Sequence, residues 1–198
     1  MNNIYIGWPY NGKYVEILNI VYKIVSQYLY NFVLLNYSKF NNKPKTIVFD
    51  IDDTLVYTDP EKTFDFDIQK IIQNLFVFPS IEQISQIARL GYILNFKIII
   101  ITARPYSSEN SSILNLKNIN VKYHEIYHND KYPDSSFKID LKKKLLKDND
   151  IILSIGDQWN DLYGLDNCLC VKLPDPVDDN CYFSFDNKKY YNIISLFN

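Results

Sequence analysis

Three aspartates directly follow a short apolar run in this chain. The run covers 47–49, Asp50 ends it, and Asp52 and Asp53 follow. A short apolar run bounded by a turn signal predicts a buried central strand of a parallel sheet. Carboxylates crowded at the end of such a strand repel one another unless a cation shares the site. Because ligands bind beside the carboxyl ends of the strands in open α/β sheets, this motif predicts a metal-assisted reaction centre.

Strand and helix patterns alternate along the rest of the chain, which predicts an α/β fold with a doubly wound, mostly parallel five-stranded sheet. The predicted strands cover 47–49, 97–101, 121–127, 151–155 and 169–173, and the predicted helices between them cover 80–94, 107–117 and 137–147. Ser80 is the predicted N-cap of the first of these helices. A small insert at about 56–79, with a short helical pattern near 67–75, is expected to form a lid or flap beside the site.

The first 44 residues predict an N-terminal helical segment that packs on the core domain of residues 45–198. A helix is expected over 13–35, where polar residues interrupt an Ile-, Val- and Leu-rich run largely on one side. A membrane span is disfavoured because Lys23 alone near the centre of a bilayer costs about 3 kcal/mol. The N-terminus lacks the pattern of a secretory signal, so a cytoplasmic location is expected, without a membrane partner.

Charge and cysteine content narrow the possible partners and the compartment. The net charge of -2 gives no basic field that favours a long nucleic acid. The three cysteines form neither a Cys-x-x-Cys motif nor an even set, which favours free thiols in a reducing compartment over a disulfide framework. The oligomeric state is left open.

Polar residues that suit phosphoryl transfer follow three of the predicted strands, and a lysine opens the helix before the fourth strand. Right-handed crossovers would bring these strand ends to one rim of the sheet. The transferring group spreads negative charge over three oxygens, so carboxylate, hydroxyl, ammonium and metal ligands are the parts that such chemistry needs. These candidate residues are Asp50, Asp52, Thr102, Lys138, Asp157 and Asp161.

With these residues in that order, the chain resembles a phosphatase of the haloacid dehalogenase (HAD) superfamily. The stretch 50–54 matches the family's first motif, Thr102 the second, Lys138 the third, and the stretch 156–161 the fourth. The stretches 156–162 and 172–176 are similar to the class B-like acid phosphatases and plant vegetative storage proteins, HAD subfamily IIIB. The resemblance implies a HAD-like Rossmannoid fold and a Mg²⁺-dependent phosphomonoesterase.

The resemblance also implies a role for four of these residues in catalysis. Asp50 would attack phosphorus to form an aspartyl-phosphate, and Asp52 would protonate the leaving oxygen and later activate water. Thr102 and Lys138 would hold the phosphoryl oxygens. Arg104, which follows the second motif, is expected either to bind the substrate or to form a structural salt bridge.

For the metal, the resemblance implies a Mg²⁺ site built from the carboxylates of Asp50 and Asp157 with the main-chain carbonyl of Asp52. Asp161 would either complete the metal shell or orient Lys138, and both roles stay open. Asp53 is expected to have a turn role. The run 142–144 of three lysines is expected to be a solvated helix face, although Lys142 lies one turn after Lys138 and could add positive potential.

The substrate is expected to be a small phosphate ester, and nucleotides are weakly favoured. Aromatic residues in and beside the insert could stack on a base, unless they pack in the core instead: Tyr57, Phe64, Phe66, Phe76 and Phe78. The sequence is also compatible with a phosphatase of nucleic-acid ends or phosphoproteins, with a phosphotransferase, and with a catalytically idle storage or interaction protein.

Overall fold

A computed structural model describes residues 12–36, 43–58, 77–131, 134, 136–175, 180–185 and 189–192 of the chain. The strands are β1 (Lys45–Phe49), β2 (Lys97–Pro105), β3 (Glu125–Asn129), β4 (Asp150–Gly156), β5 (Leu169–Lys172), β6 (Tyr182–Ser184) and β7 (Tyr191–Asn192). The helices are α1 (Gly12–Asn36), α2 (Glu82–Ile93), α3 (Glu109–Asn118) and α4 (Phe137–Leu145), and two 3-10 turns cover Tyr106–Ser108 and Trp159–Asp161.

The strands form one sheet in the order β3-β2-β1-β4-β5-β6-β7. The first five strands pair in parallel, which confirms the predicted α/β class, and β6 and β7 are antiparallel. The predicted count of five strands was wrong because β6 and β7 were missed. These strands have three and two residues, and segments that short are below the length at which an alternating apolar pattern can be recognised.

Alternate residues of the central strands enter two cores on opposite faces of the sheet. Ile47 and Phe49 of β1 lie in the larger core, whereas Val48 lies in the smaller one. The larger core packs against α1 and α2, and the smaller core includes Phe137 at the start of α4. Helices therefore cover both faces, so the parallel strands are buried on both sides as such strands require.

Helix α1 agrees with the predicted helix over 13–35 and contributes one apolar face to the larger core. Val21, Val25 and Leu29 are completely buried at a spacing of four residues. The Tyr28 hydroxyl donates a hydrogen bond to the carbonyl oxygen of Ile152 in β4, at 3.1 Å. Among the described helices, none combines the length and the apolar character needed to cross a bilayer. The division into a segment 1–44 and a core domain 45–198 stays a prediction.

The predicted start of α2 was wrong, and most of the predicted insert lies outside the described residues. Helix α2 begins at Glu82, and Ile81 occupies the N-cap position without a side-chain cap, so the predicted cap at Ser80 was wrong. Ser80 instead forms an antiparallel bridge with Val56, and its hydroxyl donates to Ser85. The predicted insert at 56–79 is described only at its ends, since 59–76, including the predicted helix near 67–75, lie outside the described residues.

Candidate active site

The carboxyl ends of β1, β2 and β4 meet at one rim of the sheet, as their register requires. Phe49 of β1 pairs with Ile100 of β2 and with Ile155 of β4. The Asp50 amide then donates to the carbonyl oxygen of Ile155 at 3.2 Å. Thr102 follows two residues after Ile100 and is completely buried within β2, which continues to Pro105. The predicted candidates from these three strands therefore share one edge.

Lys138 of α4 joins two of the predicted carboxylates. Its Nζ lies 2.9 Å from an oxygen of Asp50 and 2.6 Å from an oxygen of Asp161, and all three side chains are buried. The pKa of Asp50 is raised to about 7, mainly by burial; Lys138 opposes the rise, and Asp161 and Asp52 contribute to it. Burial lowers the pKa of Lys138, but Asp161 and Asp50 outweigh it and hold that pKa above its ordinary value. The ammonium is thus fixed in its charged form beside Asp50.

The turn after β4 holds Asp161 by close packing and hydrogen bonds. The Gln158 amide donates to Asp161 Oδ2 at 2.9 Å, and the Ser154 hydroxyl donates to the main-chain carbonyl of Asp161 at 2.7 Å. Gly156 lies directly beneath this carboxylate, because a Cβ at position 156 would come within 2.2 Å of the Asp161 side chain. The glycine of the fourth motif is therefore required by the close approach of Asp161.

Three carboxylates form a cluster that could hold a cation. Oxygen atoms of Asp50, Asp157 and Asp161 lie within 4.8 Å of one another, and all three residues are buried. Hard divalent cations such as Mg²⁺ prefer oxygen ligands of this kind. A bound cation would also offset the burial that raises the pKa of Asp50. The donor set therefore fits a divalent metal, although Asp161 already accepts hydrogen bonds from Lys138 and the Gln158 amide.

Asp52 is held by Arg104 rather than by the lysine. The Arg104 guanidinium donates to both Asp52 oxygens, with Nε 2.9 Å from Oδ2 and Nη2 2.7 Å from Oδ1. The Arg104 side chain is completely buried, whereas that of Asp52 is 16% exposed. The Arg104 amide also donates to the Thr102 hydroxyl, and the guanidinium lies over the Phe78 ring. Of the two roles expected for Arg104, the salt bridge is present; substrate binding by Arg104 stays a prediction.

Asp53 has a turn role in the structure, and two of the aromatic residues near the motif pack in the core. Asp53 adopts a positive φ of 51°, and its Oδ1 accepts hydrogen bonds from the Thr58 amide and hydroxyl, as the expected turn role requires. Tyr57 and Phe78 are buried in the larger core. The remaining three aromatic residues proposed to stack on a base lie outside the described residues.

The run of three lysines in α4 is not uniformly solvated. Lys143 and Lys144 are exposed, but Lys142 is 1% exposed, and its Nζ donates to the Asn160 carbonyl at 2.8 Å. Burial lowers the pKa of Lys142 to about 8. The signal available in the sequence was the spacing of four residues from Lys138, which puts both side chains on one helix face.

One known family matches nearly the whole chain. The family described as HAD superfamily, subfamily IIIB (Acid phosphatase), matches residues 9–191. A sequence comparison with curated proteins gives no match. Since the family covers nearly the whole chain, the protein belongs to the subfamily IIIB acid phosphatases of the HAD superfamily and is a phosphatase of phosphate monoesters.

Solved structures share the fold. The class C acid phosphatase from Bacillus anthracis superposes with a TM-score of 0.64 at 18% sequence identity, over 79% of this chain and 67% of that chain. A second structure of the class C acid phosphatase from that organism, with tungstate bound, gives a TM-score of 0.66 at 18% identity, over 81% and 69% of the two chains. At this identity the similarity concerns the fold alone.

Proposed function

We propose that this phosphatase is Mg²⁺-dependent and acts through a phospho-aspartate on small phosphate esters. The observation that carries the proposal is the buried Lys138 ammonium, which contacts Asp50 at 2.9 Å and Asp161 at 2.6 Å beside the three-carboxylate cluster. A fixed cation next to a carboxylate at a strand end suits a negatively charged phosphoryl group, whose transfer depends mainly on positioning and cationic stabilisation.

In the proposed reaction, an Asp50 oxygen attacks phosphorus and the ester oxygen leaves with a proton from Asp52. Asp52 then takes a proton from water as the water attacks the phosphorus of the aspartyl-phosphate, which releases inorganic phosphate and restores Asp50. Arg104 orients Asp52 through a bidentate pair of hydrogen bonds from its guanidinium to the two Asp52 oxygens. The Thr102 hydroxyl and the Lys138 ammonium hold the phosphoryl oxygens.

The metal would be bound by the carboxylates of Asp50 and Asp157 and by the main-chain carbonyl of Asp52. When bound, Mg²⁺ supplies positive charge that offsets the negative charge of the phosphoryl group. We assign Asp161 to orienting Lys138, because its two oxygens accept hydrogen bonds from Lys138 and from the Gln158 amide.

We further propose that the substrate is a nucleotide or another small phosphate ester, and that the protein acts in the cytoplasm. Tyr57 and Phe78 pack in the larger core, so these two rings do not support the nucleotide assignment. The three cysteines are free and buried, which suits a reducing compartment. A role as a catalytically idle storage protein is disfavoured because Asp50 and its Lys138 partner are both retained.

The test is phosphate release from a generic aryl phosphate ester, with and without Mg²⁺, by the wild type, Asp50→Asn and Asp53→Asn. Asp53 is a matched control, since it is a neighbouring carboxylate with a turn role and asparagine tolerates its positive φ. The wild type and Asp53→Asn are expected to show metal-dependent release, and Asp50→Asn is expected to show none. Activity of Asp50→Asn at the wild-type level would exclude the proposed mechanism.

A substrate panel follows from a positive result. Nucleotides, sugar phosphates, phosphorylated nucleic-acid ends and a phosphopeptide would be compared by kcat/KM, which measures specificity directly. Nucleosides or alcohols added during turnover would reveal transfer to an acceptor other than water. A higher kcat/KM for a nucleic-acid end or a phosphopeptide than for every small ester would overturn the proposed substrate class.

A further inference from the structure

Lys142 is a buried charged group to which the proposed reaction assigns no role. Its side chain is 1% exposed, although it belongs to a run in which Lys143 and Lys144 are exposed. An ammonium that leaves water is costly unless polar partners compensate it, so an aliphatic side chain would fill this position more cheaply. The presence of a lysine at this buried position therefore directs attention to its hydrogen bond.

The hydrogen bond of Lys142 ends on the turn that carries Asp161. Its Nζ donates to the carbonyl oxygen of Asn160 at 2.8 Å, in the 3-10 turn Trp159–Asp161. The next carbonyl, that of Asp161, accepts from the Ser154 hydroxyl at 2.7 Å. Two consecutive carbonyls of the turn are therefore anchored by side chains from two different elements, α4 and β4.

Lys142 and Lys138 connect the same helix to the same turn by two routes. Lys138 reaches the Asp161 carboxylate, and Lys142, one turn later in α4, reaches the main chain one residue before Asp161. Asp50, Lys138, Lys142, Ser154 and Asp161 line one small space behind the rim. A shift of the turn away from α4 would therefore move Asp161 relative to Lys138 and to the neighbouring carboxylates.

We propose that Lys142 is a positioning residue that, together with Ser154, clamps the Trp159–Asp161 turn against α4 and β4 so that Asp161 keeps Lys138 in place. Lys142 does not touch the substrate in this proposal; it acts through the Asn160 carbonyl. The proposal rests on the proposed function for its kinetic consequence, but the clamp itself is a property of the metal-free protein.

The experiment compares the wild type, Lys142→Met and Lys143→Met. Methionine matches the unbranched side chain as far as Cε and removes the Nζ donor, and Lys143 supplies an exposed control in the same run. For Lys142→Met, we expect kcat to fall about tenfold, because Asp161 would no longer keep Lys138 in place. We also expect the Mg²⁺ concentration for half-maximal activity to rise about tenfold, because Lys138 contacts Asp50, a proposed metal ligand. Lys143→Met is expected to match the wild type in both quantities.

A readout without turnover tests the clamp directly. In the metal-free protein, amide hydrogen exchange of the peptide 157–163 is expected to be about tenfold faster in Lys142→Met, because the amides of Asp161 and Leu162 donate within this turn. Ser154→Ala removes the second, uncharged anchor and is expected to accelerate exchange of the same peptide and to lower kcat. This variant separates the clamp from a general effect of charge, and it carries the test where Lys142→Met does not fold.

Three results would overturn the clamp. The first is a folded Lys142→Met protein in which kcat, the Mg²⁺ requirement and the exchange rate are all unchanged. The second is a loss of kcat in Lys143→Met equal to that in Lys142→Met. The third is a Ser154→Ala protein with the kcat and exchange rate of the wild type. An inactive wild type would instead refute the proposed function, and the exchange measurement would still decide whether the turn is clamped.

Discussion

Replacing Arg104 with methionine tests whether this arginine orients Asp52 or binds the substrate. Arg104 is completely buried and donates to both oxygens of Asp52, which is 16% exposed. Removal of one partner of a buried ion pair destabilises a protein by about 3–5 kcal/mol. Because water reaches part of Asp52, we expect a smaller loss, about 2–3 kcal/mol in the free energy of unfolding.

The catalytic effect follows from the same contact. A positioned general acid contributes about 10²–10⁴-fold to the rate, and Asp52 without Arg104 keeps its proton-transfer group but loses its orientation. We therefore expect kcat of Arg104→Met to fall about 10²-fold, with a smaller loss on an ester whose leaving group needs little protonation, such as 4-nitrophenolate.

The assay is a double-mutant cycle of kcat/KM with Arg104→Met, Asp52→Asn and the combined variant. If Arg104 acts through Asp52, the combined variant has the activity of Asp52→Asn alone. Arg89 is the other arginine of the chain and pairs with the half-exposed Glu82, so Arg89→Met is a matched control with an expected loss of about 0–1 kcal/mol and unchanged kcat. An additive cycle with the loss mainly in KM would refute the orienting role and favour direct substrate binding.

Three further predictions follow from the site and its surroundings. Gly156→Ala should lower the free energy of unfolding by about 1–3 kcal/mol in urea titrations, because its Cβ would meet Asp161 at 2.2 Å. Gly12→Ala should not, because an added Cβ would meet no atom of the described residues within 4 Å, and equal losses would contradict the packing. Asp157→Ala should reduce the rise in melting temperature that Mg²⁺ produces in the wild type, and an unchanged rise would refute its role as a ligand. The three buried thiols should react with a thiol reagent only after unfolding, so immediate labelling of the native protein would contradict their burial.

The central strands, and the meeting of the candidate site residues at one rim, could be predicted because their signals are local. Continuous apolar runs mark β1, β2 and β4, and the polar residues that follow each run reach the shared rim by the register of parallel strands. Thr102 shows the limit of this reasoning. The apolar run ends at Ile101, but the strand continues to Pro105, which pairs with Asn129 of β3, so Thr102 lies inside the strand rather than after it.

Which residues form ion pairs, and which individual charged side chains are buried, could not be predicted, because both depend on contacts between distant segments. Arg104 and Asp52 are 52 residues apart, and the sequence left a salt bridge and a substrate contact equally open. The spacing of Lys142 from Lys138 indicates a shared helix face but not burial, which depends on the packing of α4 against the turn after β4. The antiparallel strands β6 and β7 were missed for a related reason. Their pairing, of β6 with β5 and of β7 with β6, defines them rather than an apolar run.

The most direct measurement is the detection of a phosphorylated aspartate after acid quenching of the enzyme during turnover of an aryl phosphate. Mass spectrometry of the peptide that contains Asp50 should show one phosphoryl group in the wild type and none in Asp50→Asn. Asp52→Asn should show more, because loss of the base slows hydrolysis of the intermediate. An active wild-type enzyme without phosphate on Asp50 in any of these samples would contradict nucleophilic catalysis by this residue.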